Sequence, residues 1–345
     1  MKVRKRKSAV LLLYTGGTIG MYHDPKTNAL KPFNFELVEK QIPEIKGFDL
    51  TIRSISVKKP VDSSNFTPEN WVEIAQIIAQ NYDEFDGFVV LHGSDTMAYT
   101  ASAISFMLEN LSKPIIFTGS QLPIGNIRTD AREHLITAIQ IASAKNEIGL
   151  PLVPEVCIYF DYKLMRGNRT RKHNSAKFEA FTSPNYPTLA EAGIEIRYRH
   201  EYILPYPKNE LIVHQNFDTN VGVLKLFPGI TQAFLRSFIT TPNLKAVVLE
   251  AFGAGNAPTQ TWFLEAINDM VEAGILVVAI TQCTGGAVNL GKYETSIHLK
   301  NMGVANGNDI NFEACITKLM FLIGQKLTPS QLKIAMETNL RGEMA

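Results

Sequence analysis

The string Thr15-Gly16-Gly17-Thr18-Ile19-Gly20 follows directly on the apolar run Ala9 to Tyr14. A leucine-rich run that ends in paired glycines and threonines reads as a first strand that stops abruptly and presents hydroxyls at its carboxyl end. In open α/β sheets that end of the strands is where ligands bind. Most Gly-Gly turns after strands are only turns. This one has neither the G-x-G-x-x-G spacing of a dinucleotide fingerprint nor the lysine of a phosphate loop. What tilts the balance toward a site is a second junction of the same type. The apolar run Phe88 to Leu91 opens into His92-Gly93-Ser94-Asp95-Thr96, again rich in hydroxyls and now carrying a carboxylate.

Short β-rich runs alternate with longer helical ones along the chain. That pattern predicts an α/β protein: a larger amino-terminal domain whose mostly parallel sheet is flanked by helices, and a smaller carboxyl-terminal α/β domain. The first domain's strands are expected at Ala9 to Tyr14, Leu50 to Val57, Gly87 to Leu91, Pro114 to Thr118 and Val156 to Phe160. Its clearest helix starts at Thr67-Pro68-Glu69, a cap, a proline suited to the first helical position and a carboxylate that favours the dipole. Trp71, Ile74, Ala75 and Ile78 mark its buried face. A second helix follows Asp95 with Met97, Ala101, Ile104 and Leu108 as its core stripe, and a third spans roughly Arg128 to Ala144. The aperiodic stretch His200 to Glu210 contains Pro205 and Pro207 and reads as a linker. The expected division is therefore 1–199, a linker at 200–217, and 218–345. Beyond it, strands are expected at Val221 to Phe227, Ala246 to Leu249 and Ile275 to Ile280, with helices near Thr231 to Ile239, Thr259 to Ala273 and Phe312 to Leu322.

The 345 residues carry a net charge of +1, so no long-range field draws nucleic acid or an anionic membrane, and neither is expected as a partner. The basic start Lys2, Arg4, Lys5, Arg6, Lys7 precedes an apolar stretch that runs into the Thr-Gly-Gly-Thr string with no small-residue cleavage site. It reads as a solvated tail and not as a secretory signal. No run of about 18 apolar residues is present to span a bilayer. Cys157, Cys283 and Cys315 are scattered, which fits reduced thiols in a cytoplasm.

No H-E-x-x-H or Cys-x-x-Cys accompanies the seven histidines, so no metal site is expected, and the G-x-S-x-G elbow is absent. His92 reads as support for its turn. The remaining chemistry lies in Thr15, Thr18, Ser63, Ser64, Ser94, Asp95 and Thr96. A threonine hydroxyl needs a neighbouring base and donors for the oxyanion it creates. Lys172, in Arg166-Gly167-Asn168-Arg169-Thr170-Arg171-Lys172, follows the fifth strand and could relay a proton beside Ser94 and Asp95 if partly desolvated. Spacing alone favours a solvated surface lysine instead.

Four segments closely resemble bacterial cytoplasmic (type I) L-asparaginases: Tyr14 to Met21, Leu91 to Thr100, Thr118-Gly119-Ser120-Gln121 and Arg166-Gly167-Asn168-Arg169-Thr170. Gly253-Ala254-Gly255-Asn256-Ala257-Pro258, Thr281-Gln282-Cys283 and Asn339-Leu340-Arg341-Gly342-Glu343 extend the resemblance over essentially the whole chain. It implies a two-domain α/β fold, a homodimer or homotetramer, no cofactor, and hydrolysis of L-asparagine to L-aspartate and ammonia. Thr18 matches the nucleophile and Ser94 the second catalytic hydroxyl. Asp95 matches the carboxylate that binds the substrate ammonium and pairs with Lys172. Asp62 and Ser63 look like the substrate-binding pair, with Ser63 receiving the α-carboxylate. Asn256 resembles a residue lent to a neighbouring subunit's site.

Three positions depart from the family pattern. The second hydroxyl is usually threonine; Ser94 keeps the oxygen and loses the methyl that restricts χ1, so lower preorganisation is expected. The loop Asp24 to Leu30 carries no tyrosine where many relatives have one; Tyr22 lies nearby, and Tyr293 is the favoured substitute, with packing at a subunit interface as its other reading. Some relatives have a regulatory asparagine site that uses an arginine before the Gly-x-Gly-Asn motif and a cysteine in Thr-Gln-Cys. Cys283 is present, but Glu250 occupies the arginine position, with Arg171, also unusual at its position, as an expected partner, so weak or absent activation is expected. The subunit of an archaeal tRNA-dependent amidotransferase is a second enzymatic reading, but its extra amino-terminal domain has no room before Thr15. A non-catalytic asparagine or aspartate sensor is the reading outside enzymes, motivated by Ser94 and the loop without tyrosine.

Overall fold

The computed structural model describes residues 7–20, 22–23, 30–31, 42–292 and 294–345, with the side chains of 22, 23, 30, 31, 294 and 295 left out of the description. The loop 24–29, the basic residues 2–6 and Tyr293 lie outside the described residues. Two compact units divide the chain, 1–215 and 216–345.

The first unit is built on one sheet. Its strands are β1 (Ser8–Tyr14), β2 (Leu50–Ser56), β3 (Gly87–Leu91), β4 (Ile115–Thr118), β5 (Val156–Phe160), β6 (Lys163–Arg166), β7 (Ala190–Ala192) and β8 (Ile196–Tyr198). The spatial order is β8-β7-β6-β5-β4-β3-β1-β2. From β2 to β5 neighbouring strands are parallel, whereas β5 to β8 are joined antiparallel. The parallel part therefore has the doubly wound order 2-1-3-4-5, which reverses at β1 and places a crevice outside the carboxyl ends of β1 and β3.

Burial explains why these strands form. Val10, Leu12 and Tyr14 pack in one cluster with Leu135, Ala138 and Ile139, while Leu11 and Leu13 are wholly buried as well. A strand covered on both faces reads as a continuous apolar run, as β1 and β3 do. Helix α1 (Pro68–Gln80) buries Trp71, Ile74, Ala75 and Ile78 as expected, and Asn70 Oδ1 accepts from the Thr67 N–H at 2.8 Å at its start. Helix α2 (Met97–Met107) is buried nearly all round. Helix α3 (Ala131–Ser143) starts three residues later than the sequence pattern suggests. Thr129 Oγ1 accepts from the Ala131 N–H at 3.1 Å and fixes the start there.

The sequence pattern did not reveal β6 to β8. The β5–β6 hairpin turns at Asp161 and Tyr162, both at positive φ, 47° and 63°, a primed-type geometry usually signalled by glycine or asparagine. Residues 200–215 pack with the first unit: the Leu204 N–H donates to Glu155 at 2.8 Å, and Ile212–Val213 pairs with Leu108–Glu109.

The second unit is a four-stranded parallel sheet, β9 (Val221–Lys225), β10 (Ala246–Ala251), β11 (Leu276–Thr281) and β12 (Ala305–Asn306), in that order. Its helices are α4 (Gln232–Thr240), α5 (Thr261–Glu272), α6 (Glu294–Asn301), α7 (Phe312–Gly324) and α8 (Pro329–Glu337). Asn311 caps α7 by accepting from the Ala314 N–H at 2.8 Å. On α7, Lys318 is wholly buried and meets the equally buried Glu343 at 2.6 Å. Its ammonium also donates to the carbonyls of Met336 and Thr338, while Glu343 accepts from the N–H groups of Leu340 and Arg341. The Asn339-to-Glu343 motif thus closes the second unit's core; burial pulls the Lys318 pKa down, against the pull of the Glu343 charge.

Candidate active site

The site grows from the ends of β1 and β3. Thr15 donates both its backbone N–H and its Oγ1 to the Leu91 carbonyl, each at 3.0 Å, which ties the two strand ends together. Gly17 then takes a φ of +87°, and a Cβ there would stand 2.4 Å from the Gly93 backbone. Only glycine permits this approach. It sets the half-buried Thr18, first residue of a single 3-10 turn ending at Gly20, beside the second junction.

At that junction His92 is buried, with Nδ1 2.7 Å from the Gly93 carbonyl oxygen. Burial pushes its pKa down to about 4, against the hydrogen bond to Gly93, so the ring is neutral and supports the turn. Gly93 leaves space for Ser63, whose Oγ would be 2.6 Å from a Cβ at that position. Thr96 Oγ1 donates to the Ser63 carbonyl at 2.7 Å, so the 62–65 turn is fastened to the second junction. Asp62 accepts from both the hydroxyl and the N–H of Ser64, at 2.6 and 2.9 Å. Those two bonds hold its carboxyl below the usual range.

Lys172 arrives from a buried scaffold. Arg166 and Glu155 pair at 2.6 Å with both side chains almost fully buried, and Thr170 Oγ1 donates to the Arg166 carbonyl at 2.6 Å. A short antiparallel ladder then pairs Arg171–Lys172 with Phe181–Thr182. The Lys172 ammonium donates to Ser94 Oγ at 2.8 Å and to Asp95 Oδ1 at 2.6 Å. Its side chain is 17% exposed against 62% for Asp95. The solvated surface lysine that spacing alone favours is not what folds.

Thr18, Asp62, Ser63, Ser94, Asp95 and Lys172 all belong to the first unit, and the last three share direct hydrogen bonds. Asn256 belongs to the second unit, in a turn after β10 where Phe252 and Asn256 form an isolated bridge. Tyr293 lies outside the described residues. Glu250, also in the second unit, has the Lys225 ammonium 3.8 Å away. Gln282 donates to the carbonyls of Leu226 and Glu250 at 2.7 Å each, and the thiol of Cys283 is free and exposed. The sequence marked Gln121 by resemblance only. It lies three residues past β4, a third strand end facing the same crevice, and comes within 3.5 Å of Ser94 Oγ. Among the described residues no group of three His, Cys, Asp or Glu is placed to hold a metal, and no helix is long and apolar enough to cross a membrane.

Hydroxyls, a carboxylate and a lysine at the switch point of a doubly wound sheet define an α/β protein equipped for nucleophilic chemistry. The family described as Asparaginase, N-terminal matches residues 9–204, and the one described as Glutaminase/Asparaginase C-terminal domain matches residues 220–336. The chain belongs to the asparaginase family. It is 42% identical to L-asparaginase 1 of Escherichia coli strain K12 over 340 residues, 98% of each chain. Among solved structures it is similar to L-asparaginase I from Vibrio cholerae, with 40% identity, 99% of each chain covered and a TM-score of 0.87. The thermostable L-asparaginase from Thermococcus kodakarensis is similar too, with 32% identity, a TM-score of 0.89, and 98% of this chain and 99% of that one covered.

Proposed function

We propose that this chain is a type I asparaginase that hydrolyses L-asparagine to L-aspartate and ammonia through a threonine ester. The observation that carries the reading is the Lys172 ammonium donating at once to Ser94 Oγ and Asp95 Oδ1.

Thr18 Oγ1 attacks the side-chain amide carbon, forming a C–O bond and an oxyanion that backbone N–H groups near Thr18 and Ser94 stabilise. Collapse breaks the C–N bond, and the leaving nitrogen takes up the proton lost by Thr18 and departs as ammonia. Water, activated through the Ser94–Asp95–Lys172 group, then cleaves the β-aspartyl ester and restores the Thr18 hydroxyl. Asp95 accepts from the substrate ammonium, Asp62 adds a second negative charge, and Ser63 receives the α-carboxylate. Neither step calls for a cofactor. Asn256 serves the substrate end of a neighbouring subunit's site, so the working form is a homodimer or homotetramer, acting in the cytoplasm.

The test is ammonia release from purified protein against L-asparagine concentration, with L-glutamine and Thr18→Ala in parallel. Turnover that Thr18→Ala abolishes while L-aspartate binding survives supports the hydrolase. Intact aspartate binding with no turnover in the natural protein makes it a sensor.

A further inference from the structure

Ser94 has no β-methyl to restrict its χ1, yet the proposed chemistry needs its hydroxyl proton aimed in one direction. Lys172 donates to Ser94 Oγ at 2.8 Å and so occupies one lone pair without receiving the proton. Among the described residues an acceptor facing that proton is Gln121 Oε1, 3.5 Å from Ser94 Oγ. A long contact of this kind biases a rotor without trapping it, and leaves the proton free to move to a bound substrate or water.

The amide of Gln121 is itself held in one orientation. Its Nε2 donates to the Lys177 carbonyl at 2.9 Å, which turns Oε1 toward Ser94. Its backbone N–H donates to the Asp130 carboxylate at 2.9 Å, and the Leu122 N–H to the same group at 3.2 Å. The Lys177 carbonyl is fixed in turn, since Asn174 Oδ1 accepts from the N–H groups of Ala176 and Lys177 at 2.8 and 2.9 Å. One loop, running from the ladder at Lys172 to its partner strand at Phe181, therefore delivers the lysine and also orients the amide that faces its serine.

We infer that Gln121 is a positioning residue for Ser94, doing through a hydrogen-bond acceptor what a threonine methyl would do by sterics. This rests on the proposed hydrolase reading. The experiment is a double-mutant cycle on L-asparagine hydrolysis with Gln121→Met, close in volume, and Ser94→Thr. In the natural background Gln121→Met is expected to lower kcat about two- to threefold, the low end of what one neutral hydrogen bond is worth, as befits a long contact, with KM unchanged. In the Ser94→Thr background the loss in kcat disappears, because the methyl now restricts the rotor. Equal losses in both backgrounds, or a change confined to KM, overturn the inference and leave the hydrolase standing. Absence of turnover in the natural protein overturns both. Thermal unfolding of each variant separates a misfolded Gln121→Met from a mispositioned Ser94.

Discussion

Lowering the pH should weaken the fold through His92, and by an amount the structure sets. The ring is buried against Phe66 and Phe117, with centroids 4.3 and 6.0 Å away. Its Nδ1 is committed to the Gly93 carbonyl, and Nε2 is buried with no hydrogen-bond partner among the described residues. A proton on Nε2 would meet no acceptor, so the folded protein resists it until about pH 4, whereas the unfolded chain takes it up near the ordinary value of 6.5. Between those two pH values the unfolded state binds more protons than the native state, so stability falls as the pH falls through that window. At about 1.4 kcal/mol per tenfold difference in proton affinity, the full window is worth about 3 kcal/mol. His92→Asn retains a donor where Nδ1 stands and removes the titration. Urea unfolding of both proteins from pH 7.5 to pH 4 should show the variant less stable at neutral pH but with a shallower pH dependence, the gap closing by about 3 kcal/mol. Parallel curves would refute the assignment of a neutral, acid-resisting ring.

Gly17→Ala should cost more than the roughly 1–2 kcal/mol of a left-handed backbone alone, because its methyl meets the Gly93 backbone; loss of both thermal stability and turnover is expected. Lys318→Met leaves Glu343 charged and unpaired in the core and should lower the unfolding free energy by about 3–5 kcal/mol in denaturant titration. Tyr293→Phe should lower kcat while KM stays close to that of the natural protein, if the tyrosine activates Thr18; unchanged turnover removes it from the mechanism. The rate curve for L-asparagine should be hyperbolic, and a sigmoidal curve abolished by Glu250→Ala would establish a regulatory site after all.

The parallel core was legible because burial on both faces leaves a plain signal. β1, β3 and the buried stripe of α1 are continuous or periodic apolar patterns. The antiparallel extension was not, since β7 and β8 are three residues each and carry mixed side chains. Helix α8 was not read from the sequence either, although Thr328-Pro329-Ser330-Gln331 is a capping-box pattern, which the Thr328 N–H and Gln331 Oε1 complete at 3.0 Å. In the site, the two hydroxyl-bearing junctions could be read from strand ends. Lys172 could not, because the groups that hold its ammonium, Ser94 and Asp95, lie 78 and 77 residues away, a separation that no local pattern connects. Gln121 was hidden for the same reason: its orientation is decided by a carbonyl 56 residues away. Glu343, within a motif noticed only by resemblance, gains its physical meaning from a lysine inside an apolar helix.

That last pairing fixes an order of events during synthesis. The first unit ends at residue 215 and can fold while the chain is still being extended, as amino-terminal domains generally do. In the second unit Lys318 enters the core only with the partners that residues 336–343 supply, the Glu343 carboxylate and the carbonyls of Met336 and Thr338. A lone ammonium is far costlier to bury than a paired one, so packing of the α7 face that carries Lys318 is coupled to that stretch, the latest of these residues to be synthesised.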